Sequence, residues 1–306
     1  MKILLTGATG FVGKVLVRQL QEAGDEVVIL TRHIQGAALN LGSACRYFQW
    51  NDPRQTPPLE AFAGVDAVIN LMGEGIAEKR WSDEQKKKIY NSRIDGTRSL
   101  VNAFKALGVA APKTFVSTSA IGVYGKRGDE EVFETETIKD QDFLSHVCVD
   151  WENEALKAEA LGVRVALMRV GVVLGRNGGA LAKMLPIFKL GGGGPLGSGK
   201  QWMSWIHIED LAGMYVRAAK EASFKGAYNA TAPYPATNAD FSKMLGKVLK
   251  RPAFAPAPGF VMELVFGEMS TVILDGQRVI PKRMHDEAHF HYRYPTLEMA
   301  LKETAF

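Results

Sequence analysis

The sequence predicts an α/β protein: a doubly wound parallel sheet with a small, mostly helical C-terminal subdomain covering the ligand edge. Three observations carry that prediction. The apolar run Ile3-Leu4-Leu5 leads into the glycine turn Gly7-Ala8-Thr9-Gly10-Phe11-Val12-Gly13 and then into a helical pattern. Apolar strand candidates alternate with helical segments as far as Val170. Beyond Gly175 the alternation gives way to a glycine-rich loop at 191–199 and then to a Pro- and Met-rich helical region.

Residues 2–6 form the first strand, and in the helix at 11–23 Val12, Val15, Leu16 and Leu20 share one face. Strands follow at 26–31, at 47–50 and at 67–71, the last reading Ala-Val-Ile-Asn-Leu. A long helix at 83–107 leads to a fifth strand at 114–119; a helix at 150–161 precedes a sixth strand at 163–170. A short strand at 205–208, a helix at 209–220 and helices at 238–249 and 260–266 complete the chain. Residues 1–175, with 204–230 returning to them, form the sheet domain; 176–203 and 231–306 supply a substrate-side loop and the C-terminal subdomain. Right-handed crossovers place the carboxyl ends of the strands along one edge, where ligands bind.

With 306 residues, 46% of them hydrophobic, the chain can bury a large core. Its formal charge of +4 is well mixed, which argues against nucleic acid as a partner. No stretch approaches the roughly 20 apolar residues of a membrane helix, so no membrane partner is expected. Cys45 and Cys148 are far apart and outside any ligand motif, which fits a reducing cytoplasm and no metal site.

The glycine turn carries the first chemical reading. Gly7 permits the turn, Gly10 lets the main chain approach a phosphate, and Gly13 allows close helix packing. Thr9, Phe11 and Val12 complete the turn and open the helix, whose free N–H groups and dipole suit a pyrophosphate. At the end of the second strand, where an acid would hold a ribose 2′-hydroxyl, the chain has Thr31-Arg32. An arginine suits a 2′-phosphate, so NADP(H) is expected over NAD(H); an ordinary surface arginine is the competing reading. Leu71, Met72 and Gly73 follow the fourth strand, where the backbone can lie along the adenosine or phosphates, and Arg93 offers a cation to a cofactor phosphate or a substrate anion. Ser117, Thr118 and Ser119 cluster hydroxyls at the end of the fifth strand, and Tyr124 follows.

Thr6-Gly7-x-x-Gly10-x-x-Gly13, the Ser-rich fifth strand ending in Tyr124-Gly125, and Trp205-Ile206-His207-Ile208-Glu209-Asp210 resemble the extended short-chain dehydrogenase/reductases, the class of nucleotide-sugar epimerases and dehydratases. Val68-Ile69-Asn70-Leu71-Met72-Gly73-Glu74, Asn91-Ser92-Arg93, Gly171-Val172-Val173-Leu174-Gly175 and Tyr292-Arg293-Tyr294-Pro295-Thr296-Leu297 are similar to an atypical "epimerase family protein" subgroup with its own C-terminal region. The resemblance implies a Rossmann-type, NADP(H)-dependent oxidoreductase or epimerase-like enzyme, with a small polar, nucleotide-sugar-like substrate among the candidates. It implies Ser119 as carbonyl hydrogen-bond donor and Tyr124 as acid, with Glu74, Gln201, Trp202 and Ser204 on the substrate side. The class carries Tyr-x-x-x-Lys on the helix after the fifth strand. Here Cys148 stands at the tyrosine place and Glu152 at the lysine place, so atypical proton chemistry is expected, with Cys148 a packing residue. The alternative is a non-catalytic NADP(H)-binding sensor or regulatory partner, and either a monomer or a homodimer is compatible with the resemblance.

Overall fold

Ile3 and Leu5 face one side of their strand and Leu4 the other, and all three are fully buried in two separate core layers. A strand that is apolar on both faces needs a helix layer on each. The computed structural model, which describes residues 1–138 and 142–305, has that arrangement.

In chain order the first elements are β1 (Lys2–Thr6), α1 (Phe11–Glu22), β2 (Glu26–Thr31), α2 (Ile34–Leu41), β3 (Arg46–Gln49), β4 (Ala67–Asn70), α3 (Asp83–Leu107) and β5 (Thr114–Ala120). Next come β6 (Glu131–Val132), α4 (Phe143–Leu156), β7 (Arg164–Val170), β8 (Val172–Leu174), α5 (Gly179–Lys189), β9 (Trp202–Met203), β10 (Trp205–His207) and α6 (Ile208–Lys220). The last are β11 (Gly226–Ala230), β12 (Ala236–Thr237), α7 (Asn238–Leu249), α8 (Gly259–Phe266), α9 (Thr271–Leu274), β13 (Arg278–Val279), α10 (Lys282–Asp286) and α11 (Leu297–Thr304).

Seven strands form one parallel sheet in the order β11-β7-β5-β4-β1-β2-β3. The chain runs outward from β1 in one direction through β2 and β3, and in the other through β4, β5, β7 and β11. The order therefore reverses between β1 and β4, and a crevice opens beyond the carboxyl ends of those two strands.

Several elements differ from the sequence expectation. The seventh strand, β11, was not foreseen: Gly-Ala-Tyr-Asn-Ala lacks a β-branched run, and pairing with β7 is what makes it a strand. Helix α4 begins at Phe143 and not near 150, because Asp142 caps it. Its carboxylate accepts the Ser145 N–H at 2.8 Å, and Ser145 Oγ accepts the Asp142 N–H at 2.9 Å. Serine replaces the Glu or Gln usual in that reciprocal cap, so the start signal was illegible. Residues 157–161, expected as helix, form a tighter 3₁₀ turn. Helix α5 was hidden by Pro186, which lies inside it, and the short α2 by its exposed face.

Helix α6 returns to the sheet beside α1, where Arg18 meets the Glu209 carboxylate at 2.5 and 2.7 Å. Its Asp210 accepts the N–H groups of Arg293 and Tyr294 at 2.7 and 3.0 Å, pinning the C-terminal segment. Among the described residues no helix is long and apolar enough to cross a membrane.

Candidate functional site

The crevice is built first by the turn after β1. Gly7 has φ +67, the left-handed region, and a Cβ there would lie 2.8 Å from the Leu71 carbonyl oxygen across the crevice. A Cβ on Gly13 would lie 2.4 Å from the Gly7 carbonyl oxygen, so α1 can approach the turn only with glycine there. The first bond of α1 runs from Lys14 N–H to the Gly10 carbonyl at 3.1 Å. The N–H groups of Phe11, Val12 and Gly13 are thus left at the helix end, with no capping side chain and no acid in the first turn. Thr9 and Gly10 are exposed beside them. The Phe11 ring is wedged against Gly175, Gly178 and Gly179, which ties the segment after β8 to the turn.

At the end of β2, Arg32 is exposed and its guanidinium has no ion-pair partner among the described residues. Thr31 Oγ1 accepts the His33 N–H at 3.3 Å, turning the chain into α2. No acid lies between Glu26 and Asp52 in the sequence, and Asp52 is itself held by Arg54 at 2.7 and 2.9 Å.

The end of β4 forms the opposite wall. Buried Asn70 accepts from Thr6 Oγ1 at 2.6 Å and donates to Thr97 Oγ1 at 3.0 Å, and that hydroxyl also receives Trp151 Nε1 at 2.9 Å. The Asn70 carboxamide oxygen further accepts the Met72 N–H at 3.2 Å, which sets the path of Leu71, Met72 and Gly73. Against Gly73 lies Arg93: a Cβ there would come within 3.0 Å of its guanidinium carbon. Arg93 Nη1 donates to the Glu74 and Ile89 carbonyls, both at 3.0 Å, and the group sits 5.1 Å from the Trp151 ring. No carboxylate pairs with it among the described residues. Burial pulls its pKa below the ordinary arginine value, with Cys148 and Glu74 opposing. The Glu74 carboxylate accepts only a long bond from Gln85, at 3.4 Å.

Of the β5 hydroxyls, Thr118 bonds the Asn70 carbonyl and the Tyr215 hydroxyl, at 2.8 and 2.6 Å, while Ser119 joins a buried polar chain. Ser119 Oγ donates to Glu152 Oε1 at 2.7 Å, and Arg169 of β7 grips both Glu152 oxygens at 2.8 Å. Arg169 Nη1 also donates to the Tyr124 hydroxyl at 2.9 Å, and that hydroxyl donates to Asn229 Oδ1 at 2.7 Å. Burial pushes the Tyr124 phenol up to about 12, with Arg169 opposing, and burial likewise pushes the Cys148 thiol up to about 12. For Arg169, burial acts to lower the pKa, but Glu152 and Tyr124 outweigh it and hold the group above its usual value.

The bonds show where the expected residues lie. Ser119 and Tyr124 are brought together and both are buried, with the Tyr124 hydroxyl donating to Asn229. The Ser119 proton is committed to Glu152, which leaves its oxygen as an acceptor instead of the expected donor. On the substrate side, Ser204 is buried, donating to the Gln277 carbonyl at 2.7 Å and accepting from Val279 N–H at 2.9 Å. Gln201 donates to the Leu196 and Ile273 carbonyls at 2.9 and 3.2 Å. Gln201 thus links the glycine-rich loop to the C-terminal region, and Ser204 ties the segment between β9 and β10 to β13 and the residue before it. Trp202 is half-buried, donating to Asp129 at 2.8 Å beneath Arg278. Sequence reasoning missed Arg169 and Asn229 as partners of this chain, since both sit on strands distant in sequence from Glu152 and Tyr124. The pattern Gly175-x-x-Gly178-Gly179 was the available signal for the Phe11 wedge.

Comparison with known proteins fits this geometry. Residues 3–231 match the NAD dependent epimerase/dehydratase family, and residues 257–304 match a domain of unknown function, DUF1731. The chain is 40% identical over 303 residues to the chloroplastic epimerase family protein SDR39U1 homolog of Arabidopsis thaliana, covering 99% of this chain and 86% of that protein. It is 37% identical to epimerase family protein YfhF of Bacillus subtilis, covering 99% and 97%. The crystal structure of human epimerase family protein SDR39U1 with NADPH superposes with a TM-score of 0.88 at 36% identity, over 100% of this chain and 99% of that one.

Proposed function

This chain belongs to the NAD dependent epimerase/dehydratase family, and from that premise we propose that it is an NADP(H)-dependent oxidoreductase or epimerase-like enzyme acting on a small polar, nucleotide-sugar-like substrate. The observation that carries the reading is Arg32, exposed and without an ion-pair partner among the described residues, at the carboxyl end of β2 on the same sheet edge as the uncapped start of α1. The residues present fit a dinucleotide: a backbone cradle at Gly7, Thr9, Gly10, Phe11, Val12 and Gly13 for the diphosphate, and Thr31 and Arg32 for an adenosine 2′-phosphate. Leu71, Met72 and Gly73 line the other wall, with the remaining donors of Arg93 beside them. The crystallised human SDR39U1 with NADPH supports the choice of phosphorylated cofactor.

When bound, NADP(H) supplies hydride transfer. The chain's own contribution is orientation. Ser119, whose proton Glu152 accepts, keeps an oxygen that can accept from a hydroxyl of the substrate or the cofactor ribose, and Arg169 fixes the Glu152 carboxylate in place through two 2.8 Å bonds. Glu74 and Trp202 stand on the substrate side, with Gln201 and Ser204 supporting the loop. A second reading, an NADP(H)-binding sensor without turnover, is favoured by the enclosed hydroxyl of Tyr124.

Following NADPH fluorescence against a panel of nucleotide sugars and small carbonyl compounds tests the proposal, with Ser119→Ala as the control. Substrate-dependent oxidation that falls in the variant is the expected result. Tight NADPH binding with no oxidation across the panel would decide for the sensor.

A further inference from the structure

Residues 177–208 and 241–262 contain no aspartate or glutamate, yet together they carry seven lysines and arginines. The fold brings the two stretches side by side: the Ala255 N–H donates to the Gly193 carbonyl at 3.2 Å and the Ala257 N–H to the Pro195 carbonyl at 2.9 Å. On α7, Lys243, Lys247 and Lys250 form an exposed stripe at helical spacing, continued by Arg251. Among the described residues only Lys183 and Lys247 of the seven have an ion-pair partner, Glu78 and Glu298 respectively.

Large apolar side chains stand out from the same two paired stretches and from α8, which continues the second. Leu190, closing α5, is 88% exposed and Phe254, in the loop between α7 and α8, is 80% exposed. Phe260 and Leu264 of α8 are 70% and 74% exposed, and no residue of that helix is buried. A water-facing helix reading Gly-Phe-Val-Met-Glu-Leu-Val-Phe is unpartnered by ordinary standards of surface composition.

We propose that this face seats on an anionic bilayer surface, its apolar side chains entering the headgroup boundary while the free cations meet lipid phosphates. Charge selects this occupant. Cations interleaved with protruding leucine and phenylalanine are the composition of an interfacial element that rests on a membrane without crossing it. A second copy of the same face would set Lys189, Lys250 and Arg251 against their own counterparts, with only Glu263 of α8 to answer them. Helix α8 is also tied to the loop that follows β4, where Arg80 donates to the Leu264 carbonyl at 3.2 Å, and the turn after α8 to the start of α3, where Lys86 pairs with Glu268. Docking through α8 therefore brings that loop, and with it one wall of the crevice, toward the lipid. The proposal does not depend on the substrate assigned above.

Co-sedimentation of the full chain with vesicles of equimolar phosphatidylcholine and phosphatidylglycerol, against vesicles of phosphatidylcholine alone, tests it. The expected result is pelleting with the anionic vesicles only, at least tenfold weaker in high salt. Leu190→Glu with Phe254→Glu, and separately Lys250→Glu with Arg251→Glu, should each weaken pelleting about tenfold while NADPH affinity stays unchanged, which shows the fold intact. Failure to pellet, equal pelleting with both vesicles, or full pelleting by both variants would overturn the proposal. So would a dimer in analytical ultracentrifugation that both variants abolish, since a second copy would then be the occupant.

Discussion

Glu152 and Arg169 meet through two parallel 2.8 Å bonds inside the protein, with side chains only 6% and 5% exposed. Where the resembling enzymes place a lysine, this chain has a carboxylate, and the cation that answers it comes from β7. Ser119 and Tyr124 both hydrogen-bond to this buried pair, Ser119 to Glu152 and Tyr124 to Arg169.

Removing the cation should be costly. Arg169→Met leaves the Glu152 carboxylate buried and unpaired, and a loss of about 3–5 kcal/mol in urea unfolding is expected. Replacing both residues, Arg169→Met with Glu152→Leu, should recover most of it, because the uncompensated charge goes too. A single variant as stable as the double would contradict the pairing.

Alkaline pH should loosen the same region. Burial raises the Tyr124 pKa from 10.0 to about 12, so the folded state keeps the phenol neutral where the unfolded chain would ionise it. Its contribution is fully present below pH 10 and is lost as pH rises through about 12; the difference corresponds to roughly 2–3 kcal/mol. Urea midpoints measured across that range should fall less steeply for Tyr124→Phe than for the parent chain. Equal slopes would show that the phenol titrates no differently after folding.

Much of the sheet was legible because β1, β2, β4, β5 and β7 announced themselves by short apolar runs and α1 by its period. Helix α3, expected at 83–107, has those bounds, since Ser82 accepts the Gln85 N–H and acids fill its first turn. The glycine turn was legible because backbone geometry alone demands it. The buried chain from Ser119 to Asn229 was not: it joins β5, α4, β7 and β11, and no local spacing encodes which polar groups meet across a sheet. Gln201 and Ser204 were misplaced for the same reason, as their partners Ile273, Gln277 and Val279 lie some 70 residues further on.

The turn itself should tolerate no side chain. Gly7→Ala forces a left-handed residue against the Leu71 carbonyl, with an expected loss on the order of 2–4 kcal/mol. Cofactor affinity should fall with it, since the strain lies in the cradle. A variant with unchanged melting and unchanged NADPH binding would mean that the turn does not hold the diphosphate.

Asn70 links three elements through its carboxamide. Asn70→Leu, close to it in volume, leaves the Thr6 hydroxyl and the Met72 N–H without their acceptor, and about 1–3 kcal/mol should be lost in urea unfolding. Asn70→Asp should restore the acceptor bonds but not the donation to Thr97, and so fall between the two.

Isothermal titration of NADPH and NADH against the parent chain and Arg32→Asp addresses the central claim most directly. The parent should prefer NADPH, and the variant should lose roughly ten- to a hundredfold in NADPH affinity, as expected for one charge-assisted phosphate contact, while holding or gaining affinity for NADH. The same preference in both proteins would show that the guanidinium at the end of β2 does not read the cofactor.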